Sequence, residues 1–287
     1  MNYAALIENR RSVREFLDKA VSPAELAMIK TYYYERCRRL DPGLNTALLV
    51  FGHEAGKALE GAAGYNQFLI GAPAYLVLLS EKGPRARENA GYMMEDMVLK
   101  LAEMGLGSCW LTFTDSGAVK AALKIESRLD VMAILAFGYG KKAARRPQIN
   151  ILSMSNIDIA AKRHYMDPKR GVADMAFLNT WGNRHGVDDY IGFFDDMLWE
   201  ALYAASLSPS YLNRQAYGFL LRSGEIWLVQ RPDEYTTDHD GALSLGIALL
   251  HFDAVAEKWS GKRSWDFDFH EAPDLPEGYR AAAVSNL

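Results

Sequence analysis

The sequence predicts an α+β chain built of two lobes, and three observations predict it. Short apolar runs bounded by glycine and proline alternate with stretches whose apolar residues recur at three and four, the mark of buried strands packed by helices. The order of those elements repeats in the second half of the chain. One segment of the first half also returns without gaps where a second copy would begin. With 287 residues, 49% apolar and 24% charged, the chain can bury a sizeable core and lies outside the compositions of disordered, collagen-like and membrane-embedded chains.

The first element is a helix with Leu6 and Ile7 on its apolar side, ending in the basic run Asn9-Arg10-Arg11-Ser12-Val13-Arg14-Glu15-Phe16. Ser22-Pro23-Ala24-Glu25 is a capping box with proline at the first helical position, so a second helix starts there and continues through Leu26, Ile29 and Tyr33. Residues 47–51 and 72–79 are buried strands that need a partner layer. Residues 89–104 supply it as a helix that Gly105 and Gly107 stop, with Met93, Met94, Met97 and Met104 at the spacing of a packed core or lobe interface. Another helix begins at Asp115-Ser116, and residues 131–137 form a strand that stops at Gly138-Tyr139-Gly140. From Lys141 to about Gly186 the chain turns basic and proline-containing and loses its periodicity, which predicts a connector. The pattern then returns as a helix over 194–205, a hairpin of 217–222 with 225–230 around Ser223-Gly224, and a helix over 242–256.

The repeat is specific in one place. Asn9 to Phe16 aligns on Asn183-Arg184-His185-Gly186-Val187-Asp188-Asp189-Tyr190, keeping Asn, Arg and Val and closing on an acidic residue followed by an aromatic. We therefore expect a first lobe over 1–146, a connector over 147–182 and a second, diverged lobe over 183–287.

A net charge of −4 gives no general attraction to nucleic acid or anionic lipid. No apolar run approaches the roughly 18 to 20 residues of a membrane span, and Met1-Asn2-Tyr3 does not open a signal or transit peptide, so a cytoplasmic location is expected. Cys37 and Cys109 are too few for a disulfide framework or a thiolate metal cage and are expected to be reduced. Asp238-His239-Asp240 and Asp266, Asp268, His270 and Glu271 lack metal-ligand spacing and read as surface residues, so no metal is expected. Gly138-Tyr139-Gly140-Lys141-Lys142 has neither the spacing nor the hydroxyl residue of a phosphate-binding nucleotide loop.

Three segments carry chemistry. Arg10, Arg11, Ser12 and Arg14 gather three guanidinium groups and a hydroxyl within one turn of chain, which suits a phosphate monoester because a guanidinium offers two parallel donors and keeps its charge. Read alone, the run also fits a solvated basic loop. Ser208-Pro209-Ser210-Tyr211-Leu212-Asn213-Arg214-Gln215 follows a helix and is either its terminal turn or a polar pocket for the edge of a flat heterocycle. Gly105-Leu106-Gly107-Ser108-Cys109-Trp110-Leu111-Thr112 leaves a helix through two glycines, as a cap or as a place where backbone approaches a planar ligand.

Together, over about residues 3 to 260, these segments resemble the FMN-dependent nitroreductase family, including its branch whose single chain contains both lobes of the family's dimer. The resemblance implies a nitroreductase-like fold in which each lobe is a mostly antiparallel sheet packed by helices. It implies FMN as cofactor, with the Arg-Arg-Ser-x-Arg motif (Arg10, Arg11, Ser12, Arg14) on the phosphate and pyrimidine edge. Ser208, Pro209, Ser210, Asn213 and Gln215 match the Ser-Pro-Ser-x-x-Asn-x-Gln motif, the backbone of Leu111 and Thr112 is expected to face flavin N5, and Arg145 or Arg146 is expected to reach the phosphate. Arg14 is expected to supply positive charge near N1 and O2. The chain departs from the family in reading Ala216-Tyr217 where Pro-Trp is usual. Each half is incomplete: Tyr34-Glu35-Arg36-Cys37-Arg38-Arg39 stands where the serine-proline motif is expected, and Gly186 and Asp188 replace the serine and last arginine of the phosphate motif. One composite site per chain is therefore expected. The implied activity passes hydride from NAD(P)H through the flavin to a nitroaromatic, quinone or similar small acceptor, with no side-chain acid, base or nucleophile required. Flavin binding without turnover, reductive dehalogenation and flavin fragmentation are the alternatives, with the chain as a monomeric pseudo-dimer or a higher homo-oligomer.

Overall fold

The structure is a computed structural model. It describes residues 1–64, 69–141, 146–153, 156–162, 169–193 and 196–287, with 146–153 and 156–162 described in their backbone. The first sheet takes β1 (Thr46–Gly52), β2 (Ala74–Ser80), β3 (Gly107–Leu111) and β4 (Asp130–Gly138) in the order β1-β2-β4-β3, with every neighbouring pair antiparallel. β2 is buried along its whole length, as a strand with apolar residues on both faces requires. Helices α2 (Pro23–Glu35) and α4 (Ala86–Glu103) cover one face through Ile29, Tyr33, Met93, Met94 and Met97. Helices α3 (Glu54–Leu59) and α5 (Ser116–Leu123) cover the other through Leu59, Val119 and Leu123. The capping box at Ser22 and Glu25 forms with both hydrogen bonds, and Asp115 caps α5 by accepting from the Gly117 amide.

A two-stranded hairpin, β5 (Arg146–Ser153) with β6 (Asn156–Lys162), leads to the second sheet. That sheet runs β7 (Ala176–Leu178), β8 (Tyr217–Arg222), β9 (Glu225–Gln230) and β10 (Arg280–Asn286) in the order β10-β9-β8-β7, with β7 parallel to β8 and the other pairs antiparallel. Ser223 and Gly224 both take positive φ, as a two-residue hairpin turn demands. The sheet packs on α6 (Val187–Gly192), α7 (Met197–Ser206) and α8 (Asp238–Ser260). The chain's first helix, α1 (Tyr3–Asn9), joins this second core and buries Ile7 in it. The stretch expected to be a patternless connector thus carries a hairpin and a strand of the second sheet. β7 has only three residues, too few to show an alternating pattern.

α4 and α8 cross at the centre of the molecule. A Cβ on Gly91 would collide with the Leu243 carbonyl, and one on Gly246 with the Glu88 carbonyl. The two contacts are reciprocal, so they set Gly91 opposite Gly246 as counterparts in a local pseudo-twofold arrangement. In the same register Asn89 corresponds to Ser244 and Asp96 to His251.

Candidate functional site

The arginine motif follows α1 as extended chain and lies across the end of the first sheet. Ser12 bridges Ser108 in parallel, the Val13 amide donates to the Ser108 carbonyl at 2.8 Å, and Phe16 bridges Gly140. Gly107 makes this seat possible, because a Cβ there would stand 2.5 Å from Val13 Cγ2. The glycine expected to admit a planar ligand instead admits the arginine segment, while Gly105, at φ +77°, ends α4.

From that seat the motif faces the second lobe across a cavity of about 1010 Å³. Arg10, Arg11, Ser12, Arg14, Leu111 and Thr112 line one side; Pro209, Ser210 and Asn213 line the other. Residues from three sequence-distant segments, all expected to share one site, therefore converge.

Arg10 and Arg11 behave differently. The Arg11 guanidinium turns back and donates to the carbonyls of Glu8 and Arg10, both at 2.7 Å, capping the end of α1. Burial, with the Arg10 charge adding to it, holds its pKa below the usual arginine value. The Nε atoms of both arginines are buried without a hydrogen-bond partner among the described residues. An anion in the cavity would relieve that crowding of positive charge.

The opposite wall is a strained turn. Leu212, Asn213 and Gln215 all have positive φ, which non-glycine residues rarely adopt and which clusters at ligand-binding positions. Gln215 is buried and ties the turn down: its Nε2 donates to the Ser206 carbonyl at 2.6 Å and its Oε1 accepts from the Arg170 amide at 2.8 Å. Asn213 Oδ1 accepts from Lys169 Nζ, which also donates to the Ser208 carbonyl at 2.9 Å.

Two expectations need correction. Ser208 is fully buried, and its hydroxyl meets the Ala205 carbonyl at 2.8 Å and the Tyr217 hydroxyl, so its side chain supports the turn rather than lining the cavity. Tyr217, at the position where the chain departs from Pro-Trp, is likewise fully buried. Asp240 is not a surface residue: it is 8% exposed and lines the cavity from the first turn of α8, and burial raises the pKa of its carboxyl. Arg145 and the side chain of Arg146 lie outside the described residues.

Sequence reading missed Lys169 and the α8 face of Asp240, Leu243, Ser244 and Ile247. Lys169 sits in the stretch without periodicity, where only its charge could have marked it. The helix face had a signal, since Asp240 and Ser244 interrupt an apolar stripe at helical spacing. Among the described residues no group of three histidine, cysteine or acidic side chains is placed to hold a metal, and no helix is long and apolar enough to cross a membrane.

Two α+β lobes enclosing one cationic cavity at their interface define a nitroreductase-like fold. The chain belongs to the family described as Putative TM nitroreductase, whose model matches residues 2–173. Among solved structures it is similar to a putative nitroreductase from Thermotoga maritima MSB8, at 19% identity and TM-score 0.58, covering 100% of this chain and 94% of that one. An FMN-dependent nitroreductase from Clostridium difficile R20291 matches 48% of this chain and 88% of its own, at 24% identity and TM-score 0.43. A putative nitroreductase in complex with FMN from Desulfovibrio desulfuricans matches 50% of this chain and 91% of its own, at 22% identity and TM-score 0.42. No curated protein matches.

Proposed function

We propose that the chain is an FMN-dependent oxidoreductase that takes hydride from NADH or NADPH and delivers it to a small acceptor such as a nitroaromatic or quinone. The observation that carries this reading is the meeting of Arg10, Ser12 and Arg14 from one lobe with Pro209, Ser210 and Asn213 from the other around one cavity. The Arg10 side chain and the Ser12 hydroxyl at the cavity wall fit a phosphate. Membership of a nitroreductase family and the FMN held by the Desulfovibrio relative agree with it.

Arg10 and Ser12 would bind the phosphate, with Arg145 or Arg146 beside them. Ser210 and Asn213 would hold the pyrimidine edge, and Lys169 would fix the rotamer of Asn213 through its Oδ1. Arg14 would place positive charge where reduction builds negative charge. Leu111 and Thr112 would shape the wall beside the ring; the Thr112 carbonyl accepts from the Gly64 amide at 2.7 Å, which holds that wall in place. The bound flavin would supply the hydride chemistry itself. Ser208 would act only by supporting the Pro209 turn.

The test is the visible spectrum of the purified protein after loading with FMN and desalting, followed by anaerobic titration with NADH and with NADPH. A flavin band bleached by one of the two and restored by a quinone supports the proposal. A flavin band that neither bleaches leaves flavin binding without turnover. A colourless sample that ignores added FMN overturns the reading.

A further inference from the structure

Behind the cavity wall lies a buried ionisable pair that the binding scheme above does not use. Glu95 on α4 and His251 on α8 are both fully buried, with His251 Nε2 3.0 Å from Glu95 Oε1. The other carboxylate oxygen accepts from Trp110 Nε1 at 2.9 Å, and Arg10 Nε lies 3.6 Å from Oε1. His251 Nδ1 lies 3.0 Å from the carbonyl of Ala204 on α7, the helix that runs into the Ser208-Pro209-Ser210 turn. The pair therefore touches the arginine motif, the strand beside it and the helix behind the opposite wall.

The geometry also counts protons. A carbonyl only accepts, so His251 Nδ1 carries hydrogen. A bare imidazole nitrogen and a carboxylate would repel at 3.0 Å, so a second hydrogen lies between Nε2 and Oε1. Whichever atom holds it, Arg10, Glu95 and His251 together carry one net positive charge. Cys109 and Tyr217 are held neutral by burial, and Arg11, Arg14 and Arg170 add positive charge to the same field.

We propose that Glu95 and His251 are positioning residues that hold Arg10 and Trp110 at the cavity and, through their shared proton, form a neutral pair that leaves the charge of Arg10 uncancelled for an anionic ligand. This rests on the FMN reading. Removing the histidine leaves the carboxylate uncompensated beside Arg10, whereas removing both charges restores the balance.

The experiment measures FMN affinity of the apoprotein by fluorescence quenching, with riboflavin as the uncharged comparison and thermal midpoints as a check on folding. His251→Gln is expected to weaken FMN by about tenfold or more and to weaken riboflavin less. Glu95→Gln keeps an acceptor for Trp110 and a donor for His251 Nε2 and is expected to bind FMN within about threefold of wild type. The double variant Glu95→Gln/His251→Gln is expected to recover most of the loss, whereas a merely structural role predicts that the two substitutions add. A double variant as weak as His251→Gln, or weaker, overturns the proposal. Should His251→Gln fail to fold, Glu95→Gln beside Glu95→Ala decides: affinity retained with glutamine, which keeps the bonds to Trp110 and His251, and lost about tenfold with alanine supports the proposal, and any other pattern overturns it. Wild-type protein that binds no FMN removes the functional reading itself, while wild type and all variants binding alike removes only this inference.

Discussion

The same eight-residue motif folds in two ways within one chain. In the first lobe it lies extended along β3 and presents Arg10, Ser12 and Arg14 to the cavity. In the second, the Asn183 side chain bonds the Leu178 carbonyl and the His185 amide, Gly186 turns at φ +76°, and Asp188 enters the first turn of α6. The second sheet explains the difference. β10 pairs directly with β9, as β4 does with β2, but where β3 stands the second sheet has, among the described residues, only the single bridge of Asp266 with Val284, so the second motif has no strand to lie along. Its half of the interface is closed as well. Asn89 Oδ1 accepts from the amides of Leu40 and Asp41, while its counterpart Ser244 lines the open cavity. Asp96 is wrapped by the hydroxyls of Tyr3 and Tyr32 and the Arg38 amide, each at 2.9 Å. The motif stays extended where β3 lies beside it and turns into a helix where no such strand does.

The largest expected effect breaks the open half. Arg10→Ala with Ser12→Ala removes a charge-assisted partner and a hydroxyl and is expected to weaken FMN by at least about a hundredfold while leaving a folded apoprotein. Asp188→Ala, the matching change in the closed half, is expected to leave affinity unchanged. Flavin absorbance after desalting checks both, and full occupancy in the double variant would refute the assignment of the open half.

A smaller effect tests the strand under the motif. Gly107→Val collides with Val13 and is expected to cost about 1–3 kcal/mol of stability and to loosen FMN, because the arginine segment must lift from β3. Gly186→Ala in the other copy meets only Leu178 at 3.5 Å and strains a positive φ, so it should lower the thermal midpoint and leave FMN affinity unchanged. Equal flavin loss in both would mean that the two copies do not differ in function.

How far the sequence revealed this asymmetry depends on the kind of signal. Capping boxes, glycine stops and apolar periodicity are local, and they placed α2, α4, α5, β8, β9 and α8 close to where they lie. The converging segments could be named because arginine and serine-proline motifs are also local. β3 was read as ligand-facing backbone because its five residues contain Gly107 and no alternation; its strand character comes from pairing with β4. Ser208 could not be told from Ser210, since both are serines beside a proline and only the tertiary position of Tyr217 separates them. The missing counterpart of β3 is a property of the sheet and has no residue of its own to read.

The smallest effects set a carboxylate of one lobe against a carboxylate of the other, with opposite signs in pH. Asp253, buried on α8 and bonded by Tyr92 and Trp265, has its pKa raised by burial from the ordinary 3.8 to about 6. The folded state thus holds a proton that the unfolded chain gives up above 3.8, and the stability this group contributes is full below that pH and lost as pH rises through about 6. Asp253→Asn should flatten the thermal midpoint across that window. Glu25 runs the other way. The Ser22 hydroxyl first, then Tyr139, hold its pKa down from 4.5 to about 2. Its contribution is present above 4.5 and lost as pH falls through about 2, so Glu25→Gln should lower the midpoint near neutrality and leave it unchanged at the acid end. Because Glu25 caps an exposed helix start while Asp253 lies in the core, its effect should be the smaller. A Glu25→Gln midpoint that tracks wild type at neutral pH would show that the capping box and the Tyr139 bond contribute nothing to holding α2 against the end of the first sheet.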